Sequence, residues 1–217
     1  MVFAAITLLS TGLFLSAFGQ EVEELIRVID AQQRKIETFS AHFTQKKETL
    51  IVKKPLFSSG VVKFKRPDHI YWNYTKPESM EMEVSGKGVW IYYPDSLQAE
   101  KYNLGRNHRM AQFLEPLLAI FQKTFGQLSA GYGMVYEGTD TERLHHFRLQ
   151  PKDEKVQKFL SRVDLRIDKT SGAIIRFIMI EANGDRLSLE FKNLQINPPL
   201  TDDDLKIKIP PSVKVME

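Results

Sequence analysis

SSGVVKFKRPDHIYWNYTKPESMEMEVSGKGVWIYYPD, residues 58–95, is a series of short alternating segments separated by turn signals. The turn signals are Lys65–Asp68, Thr75–Glu78 and Ser85–Gly88, each containing proline or glycine. Apolar and polar residues that alternate between such turns are typical of consecutive antiparallel strands. The stretch therefore predicts a β meander in the first half of the chain.

Each predicted strand of the meander has one apolar face, because residues i, i+2 and i+4 of a strand point the same way. The apolar faces are rich in aromatic and methionine side chains, and they carry Val62, Phe64, Ile70, Trp72, Tyr74, Met80, Met82 and Val84. Arg66 ends the first of these faces, whereas Lys63 and Lys65 lie on the opposite one. We predict a wide apolar lining with one guanidinium at its edge.

The last third of the chain also has a clear strand pattern. Three alternating segments lie between residues 163 and 191, and Asn183-Gly184 separates the second from the third. Asn-Gly between alternating segments is the strongest short signal for a hairpin. A further alternating segment, Leu205–Ile209, predicts a final strand before two prolines.

Two segments have helical periodicity. Residues 21–38 carry apolar side chains at helical spacing and predict an amphipathic helix. A second stripe with spacings of three and four residues consists of Met110, Phe113, Leu114, Leu117, Leu118 and Phe121. Pro116 interrupts this second helix, which we therefore expect to be short or kinked. Its flank at residues 126–131 is predicted to be a mobile loop.

These elements indicate one mainly β (α+β) domain over residues 20–217. About eleven strands are too many for a small flat sheet, so the sheet is expected to curl into an open, incomplete antiparallel β-barrel covered by a helical lid. Hydrophobic residues make up 42% of the chain, which is enough for a core. Periodicity alone leaves open whether the barrel is hollow or filled.

Residues 1–19 contain no charged side chain and end with small residues at Ala17 and Gly19, before a polar segment. This pattern predicts a signal peptide that is cleaved near Gln20 and exports the rest of the chain. The alternative is an uncleaved membrane anchor, since the apolar run has about the minimum length of a spanning helix. No Lys or Arg precedes the apolar run, which departs from the usual signal peptide.

The sequence offers little sign of catalytic or metal chemistry. It has no cysteine, no phosphate-binding glycine loop and no hydrolase or metalloprotease motif. His145 and His146 are adjacent in a predicted strand and face opposite sides, and Asp202–Asp204 lacks the ligand spacing of a calcium loop. The net charge of +3 is too small to suggest nucleic acid. We predict a monomeric protein that is not an enzyme and has no cofactor or bound metal.

Several motifs together resemble the outer-membrane lipoprotein carrier protein family, LolA. Phe43-Thr44-Gln45-Lys46 follows the first helix, and Gly60 begins a strand that leads to Lys65-Arg66-Pro67. Trp72 comes six residues after Arg66, and Gly86–Pro94 follows. The hairpin from Asp168 to Ile174, Phe191-Lys192-Asn193 and Ile209–Val215 also fit, so the resemblance covers nearly the whole chain after residue 19.

The resemblance implies an open β-barrel with a helical lid over an apolar cavity, in agreement with the strand pattern. It implies a periplasmic chaperone whose cargo is acylated lipoproteins. The chaperone would take them from an inner-membrane ABC transporter and pass them to an outer-membrane acceptor lipoprotein, where one is present. It also assigns Arg66 the role of a gate that bonds the backbone of the lid when the cavity is empty.

Other interpretations remain open at this point. Arg66 could instead form a surface salt bridge or cap a turn. The acceptor of the same fold is itself a lipoprotein, and the absence of cysteine argues against that assignment. The cargo could be another lipid or a glycolipid, because acyl chains present few groups to recognise. A membrane-anchored domain that senses lipoproteins is a further alternative, which an uncleaved residue 1–19 segment would favour.

Overall fold

The computed structural model describes residues 10–86, 88–106 and 108–216, without the side chains of residues 10–19, 108, 109, 112 and 113. Of the predicted signal segment, residues 1–9 lie outside the described residues. For residues 10–19 only the backbone is described, and it is helical. Its role as a signal peptide stays a prediction. No helix in the described ranges combines the length and apolar character needed to cross a bilayer.

Twelve strands form one sheet within the described residues. They are β1 (Thr38–Glu48), β2 (Leu56–Lys65), β3 (His69–Lys76), β4 (Met80–Ser85), β5 (Gly88–Tyr93), β6 (Gln98–Asn103), β7 (Tyr132–Thr139), β8 (Leu144–Pro151), β9 (Leu160–Asp168), β10 (Ile174–Glu181), β11 (Arg186–Ile196) and β12 (Lys214–Met216). Their order is β12-β6-β5-β4-β3-β2-β1-β11-β10-β9-β8-β7, with β12 and β7 at the two ends. The prediction of a mainly β fold with an open, curled sheet is confirmed.

The predicted meander has the expected strands and the expected faces. Val62 lies opposite Trp72, Trp72 opposite Met82, and Met82 opposite Ile91, so one apolar row crosses four antiparallel strands. All four side chains are buried. The register therefore collects the alternating residues of each strand on the concave face of the sheet, as the period of two requires.

Gly60 is needed where β2 and β3 approach each other. The register of the two strands shifts between Ser59 and Gly60. A Cβ atom at position 60 would overlap the carbonyl oxygen of Asn73, which is backbone and cannot move aside. A side chain is therefore excluded here by close approach of the backbone rather than by a left-handed conformation.

Four α-helices accompany the sheet in the described part of the chain: α1 (Ser10–Gln33), α2 (His108–Gln122), α3 (Phe125–Leu128) and α4 (Glu154–Gln157). Helix α1 ends at Gln33 rather than near residue 38, because the chain turns there to enter β1. Helix α2 is 15 residues long and contains Pro116 in its interior, whereas the sequence predicted a short or kinked helix. The flank predicted to be a loop at residues 126–131 contains most of α3.

The core lies between the concave face and the helices. Ile29 of α1 and Leu114, Leu118 and Phe121 of α2 belong to the same buried cluster as the inward side chains of the strands. The apolar stripes predicted for the two helices thus pack on the sheet. At about 25 cal/mol per Å² of apolar surface removed from water, this burial is the main term that holds the helices in place.

The predicted final strand at Leu205–Ile209 is wrong. The segment follows a 3-10 helix, Asp202–Leu205, and crosses the outer face of the sheet without pairing as a strand. There the amide of Ile207 donates to the Glu83 carboxylate at 2.9 Å, and Lys65 pairs with Asp202 at 2.7 Å. The alternating side chains Ile207 and Ile209 pack against a small second cluster of Tyr92, Ala99 and Val213. The alternation in this segment therefore results from burial of one side of the chain and not from strand pairing.

Candidate functional site

A cavity of about 420 Å³ opens beside α2. It lies at the end of the sheet where the β3–β4 turn and the β10–β11 turn are found. Ligand pockets are commonly about 300–1,000 Å³. Its apolar wall combines strands β3 to β5, helix α2 and the start of β11, and consists of Tyr74, Met80, Met82, Ile91, Tyr93, Met110, Leu114, Leu117 and Leu187. Unbranched methionine side chains adapt to ligands of varied shape, and three of them lie in this wall.

The predicted lining residues fall into five groups. Five line the large cavity: Tyr74, Met80, Met82, Leu114 and Leu117. Phe64 and Phe121 line a second, much smaller cavity of about 50 Å³, and Leu118 lines a third of about 260 Å³ on another side of α2. Val62, Ile70, Trp72 and Val84 are fully buried in the core, and the side chain of Phe113 lies outside the described residues.

Aromatic packing fills the centre of the barrel. The Phe121 ring of α2 meets the Trp72 ring edge-on at 5.3 Å between centroids and stacks on Phe39 at 5.3 Å. The Phe191 ring also meets the Phe121 ring edge-on, at 6.0 Å between centroids. Trp72 is only 1% exposed. The barrel is thus filled beneath Phe121, near the end of α2, and open beneath Met110, Leu114 and Leu117.

Polar groups line the mouth of the large cavity. The Tyr74 hydroxyl donates to the side-chain oxygen of Gln45 at 3.0 Å, and burial raises the pKa of Tyr74 above its ordinary value. The tyrosine therefore stays neutral and adds no charge to the apolar wall. The rest of the mouth is polar or charged and consists of Lys47, Ser58, Lys76, Glu78, Ser79, Glu181, Asp185 and Arg186.

Sequence reasoning missed Gln45, Leu187 and the turn between β10 and β11. These residues lie outside the meander of residues 58–95, and they reach the cavity because β1 pairs with both β2 and β11. The alternation of Phe43-Thr44-Gln45-Lys46 predicts a strand, and the motif supports the family resemblance, but neither assigned Gln45 to the cavity. That alternation could have shown that Gln45 shares a face with Phe43, since residues i and i+2 of a strand point the same way.

Arg66 lies at the opposite end of the concave face. Its Nε donates to the carbonyl oxygen of Ile36 at 2.6 Å, and its guanidinium NH2 group donates to that of Gln33 at 2.8 Å. The small cavity next to it is lined by Phe64, Phe121 and other side chains. The guanidinium thus binds the end of α1, and not the backbone of α2, which carries the apolar stripe of the predicted lid.

Helix α3 connects the two long helices. The buried side chain of Gln33 accepts from the Phe125 amide at 2.7 Å and donates to the Gly172 carbonyl at 3.0 Å. Asp30 accepts from the Gly126 amide at 2.5 Å. The segment after α2 is therefore fastened to the end of α1, close to the carbonyls that Arg66 binds.

The adjacent histidines face different surroundings. His145 contacts the Tyr136 hydroxyl at 3.0 Å, whereas His146 lies 3.7 Å from the Asp164 carboxylate. Across the described ranges no cluster of three or more His, Asp or Glu side chains is arranged to hold a metal ion. The cavity beside α2, with its apolar wall and polar mouth, is the feature best suited to bind a ligand.

Comparison with known proteins extends this description. The family model described as "Outer membrane lipoprotein carrier protein LolA" matches residues 34–208. An outer-membrane lipoprotein carrier protein of Idiomarina loihiensis is 26% identical over 217 residues, which cover 99% of this chain and 96% of the relative. One from Pseudomonas putida is 25% identical over 200 residues, covering 91% and 88% of the two chains.

Two solved structures share the fold. An uncharacterized conserved protein from Thermus thermophilus has a TM-score of 0.57 at 14% identity, over 90% of this chain and 98% of the other. MucB has a TM-score of 0.52 at 14% identity, over 87% of this chain and 63% of its own. These likenesses concern the fold alone. Because the family match spans most of the sequence, the chain belongs to the family of the outer membrane lipoprotein carrier protein LolA.

Proposed function

We propose that this protein is a periplasmic chaperone that binds the acyl chains of lipoproteins in the cavity beside α2 and carries them to the outer membrane. The observation that carries the proposal is the apolar, methionine-containing cavity of about 420 Å³ in a chain of this family. The relatives named above are outer-membrane lipoprotein carrier proteins. The inner-membrane ABC transporter as donor and an outer-membrane lipoprotein as acceptor are part of the same proposal.

Transfer free energies explain why such a carrier needs a cavity. Each methylene group moved into water costs about 0.8 kcal/mol, so an acyl chain does not cross an aqueous compartment unshielded. The cavity wall supplies apolar contacts from Met80, Met82, Leu114 and Leu117, while its mouth stays polar. Binding here needs no reacting group, and the proposed carrier is not an enzyme.

Larger cargo needs more room than the open part of the barrel provides. Phe121 fills the space over Trp72, and it belongs to α2, which packs on the sheet through side chains. Moving α2 outward would join the filled centre to the cavity and expose the buried residues predicted as lining, including Val62, Ile70, Trp72 and Val84. In this proposal those four residues contact acyl chains only in the opened form.

Export and processing complete the proposal. Residues 1–19 would act as a signal peptide, and residues 20–217 would form the carrier domain. The N-terminal residue of the protein purified from its own periplasm tests this directly. A chain that begins near Gln20 supports cleavage, and a chain that keeps residues 1–19 contradicts it.

Native mass spectrometry of the protein purified without detergent tests the cargo. We expect bound species with the masses of triacylated lipoproteins, and uptake of a fluorescent fatty-acid probe after the cargo is removed. Met80→Asp places a carboxylate on the apolar wall and should weaken the probe's affinity by at least about tenfold, because a charge in apolar surroundings is costly. Val135→Asp, an exposed residue of β7, is the matched control and should leave the affinity unchanged.

The outcomes separate the alternatives. Bound phospholipid or glycolipid would keep the cavity and change the cargo. A protein that carries nothing and takes up no probe would contradict the carrier function. Equal affinity in Met80→Asp and the wild type, with both folded by circular dichroism, would show that the cavity beside α2 is not the binding site.

A further inference from the structure

The tip of the hairpin formed by β1 and β2 exposes a cluster of apolar side chains, Leu50–Val52 and Leu56–Phe57. All residues from 50 to 57 are exposed, and we call this segment the tip loop. Leu50 is 79% exposed, Ile51 93% and Phe57 64%, and Val52 and Leu56 are also exposed. Other large exposed apolar residues of the described chain occur singly or as one pair near its end. Contiguous exposed apolar residues mark an interaction site, whereas scattered ones need no explanation.

Lysines surround these apolar residues. Lys53 and Lys54 lie within the tip loop, and Lys46 and Lys47 of β1 lie opposite Phe57 and Leu56 across the ladder. Glu48 is the only acidic residue between positions 46 and 57, and it pairs with Lys46 at 2.7 Å. The tip loop therefore combines apolar side chains with a local excess of positive charge.

This composition favours a lipid surface over a protein partner. The centres of protein interfaces are depleted in lysine and enriched in arginine and aromatic residues. Anionic lipid headgroups attract lysine, and apolar side chains next to the lysines enter the boundary between headgroups and acyl chains. The tip loop itself has two lysines, no arginine and one aromatic residue, and Lys46 and Lys47 lie beside it. The one neighbouring arginine, Arg186, pairs with Glu48 across the ladder.

The tip loop is fastened to the mouth of the cavity. The Leu50 amide donates to the Asp185 carboxylate at 3.0 Å, and Asp185 lines the mouth. Lys47 and Ser58, which flank the loop on β1 and β2, line the mouth as well. A surface that binds the tip loop would therefore lie directly beside the opening of the cavity.

We propose that the tip loop binds the surface of an anionic phospholipid bilayer, with Ile51 and its apolar neighbours inserted between the headgroups. Docked in this way, the cavity mouth faces the bilayer, and an acyl chain passes between them with little exposure to water. The proposal goes beyond lipoprotein carriage, and membrane binding by the tip loop does not depend on which cargo the cavity holds.

The absence of cysteine gives a direct test. Ile51→Cys and, as the matched control, Val135→Cys on β7 each carry one thiol for an environment-sensitive fluorophore. Vesicles of phosphatidylethanolamine and phosphatidylglycerol should shift the emission of the label at position 51 to shorter wavelength, and a lipid-borne quencher should reduce it. The label at position 135 should not respond. An unchanged emission at position 51, or equal changes at both positions, would overturn the proposal.

Vesicle sedimentation tests the two contributions separately. Ile51→Asp should lower the association constant for anionic vesicles by at least about tenfold, since an apolar side chain is replaced by a charge that the bilayer excludes. Lys53→Glu with Lys54→Glu should have a similar effect, while Lys155→Glu with Lys158→Glu, on and beside α4, should not. Equal binding of all these variants contradicts the tip loop as the contact.

Uptake of the fatty-acid probe distinguishes this proposal from the carrier function. Variants at Ile51, Lys53 and Lys54 should take up the probe as the wild type does, because these residues are not part of the cavity wall. Normal uptake with lost vesicle binding supports both proposals. If these variants take up the probe normally and also bind vesicles as the wild type does, membrane contact by the tip loop is contradicted and the carrier function is not. If the wild type binds vesicles but takes up no probe, the carrier function is contradicted and membrane contact is not.

Discussion

Arg66 connects the edge of the sheet to the chain at the end of α1, and we propose that it acts as a gate. It ends an apolar strand face, and its guanidinium donates to the carbonyl oxygen of Gln33, the last residue of α1, and to that of Ile36 in the turn that follows. Hydrogen bonds that involve a charged group contribute about 1.5–3 kcal/mol each when buried, and less when they are partly exposed. The contact therefore joins the sheet to the helices above it, and its rupture by cargo is the physical basis that we propose for a gate.

We predict that Arg66→Leu lowers the free energy of unfolding by about 1–3 kcal/mol and leaves the chain folded. The variant should still bind the fatty-acid probe and should fail to pass cargo to an acceptor, because the two closed contacts are absent. Chemical denaturation and a transfer assay measure these effects. Arg27→Leu, which removes an exposed pair with Glu24, is the control and should change stability by less than about 0.5 kcal/mol. Normal transfer by Arg66→Leu would show that Arg66 is not a gate.

At the scale of elements, the end of α1 organises the cover of the barrel. Gln33 joins α1 to α3 and to the turn after β9, and Asp30 supports the start of α3. Arg66 joins the same end of α1 to β2. The end of α1 therefore holds α3, the segment that follows α2. Movement of α2 is restrained by this connection through α3 as well as by the packing of α2 on the sheet.

We predict that Gln33→Ala lowers the free energy of unfolding by about 1–3 kcal/mol, because the Phe125 amide and the Gly172 carbonyl lose their partner in a buried place. Hydrogen exchange of the α2 and α3 amides should accelerate in this variant. Gln32→Ala, which removes a more exposed bond to the Lys169 carbonyl, is the control and should have a smaller effect. Unchanged exchange in α2 and α3 would show that the α1 contact does not restrain the cover.

At the scale of the whole molecule, stability should depend on pH through the histidines of β8. Burial is the main cause that lowers the pKa of His145 and His146 below the ordinary value of 6.5, and Lys169 and Arg166, respectively, lower it further. The unfolded chain therefore takes up these protons first as the pH falls. Stability is complete above pH 6.5 and declines as the pH drops through 6.5 towards the lower pKa of the folded state.

We predict that His146→Gln flattens the dependence of unfolding free energy on pH just below 6.5. At about pH 8, where a neutral histidine contributes no proton uptake, wild type and variant should have the same slope, which serves as the internal control. The lowered pKa values of Asp140 and Asp168 act in another range, since their stabilisation is lost only as the pH falls below 3.8. Denaturation curves across this range provide the measurement, and an identical slope below pH 6.5 would contradict the role of His146.

Local periodicity was sufficient to predict several features of this fold. Alternation fixed which side chains of β2 to β5 point inward, and it placed Arg66 at the edge of that face. Spacings of three and four residues fixed the apolar stripe of α2. These patterns succeed because a strand repeats every two residues and a helix every 3.6. The family resemblance, carried by the order of several motifs, is confirmed by the match over residues 34–208.

Which inward residues are packed and which line open space depends on contacts between elements that are far apart in sequence. Trp72 and Met82 lie opposite each other on the same face, yet Trp72 is covered by Phe121 and Met82 lines the cavity. The same holds for Leu205–Ile209, which crosses the sheet instead of joining it. Periodicity gives the direction of a side chain, whereas empty volume depends on the distance to elements far along the chain, which no local pattern contains.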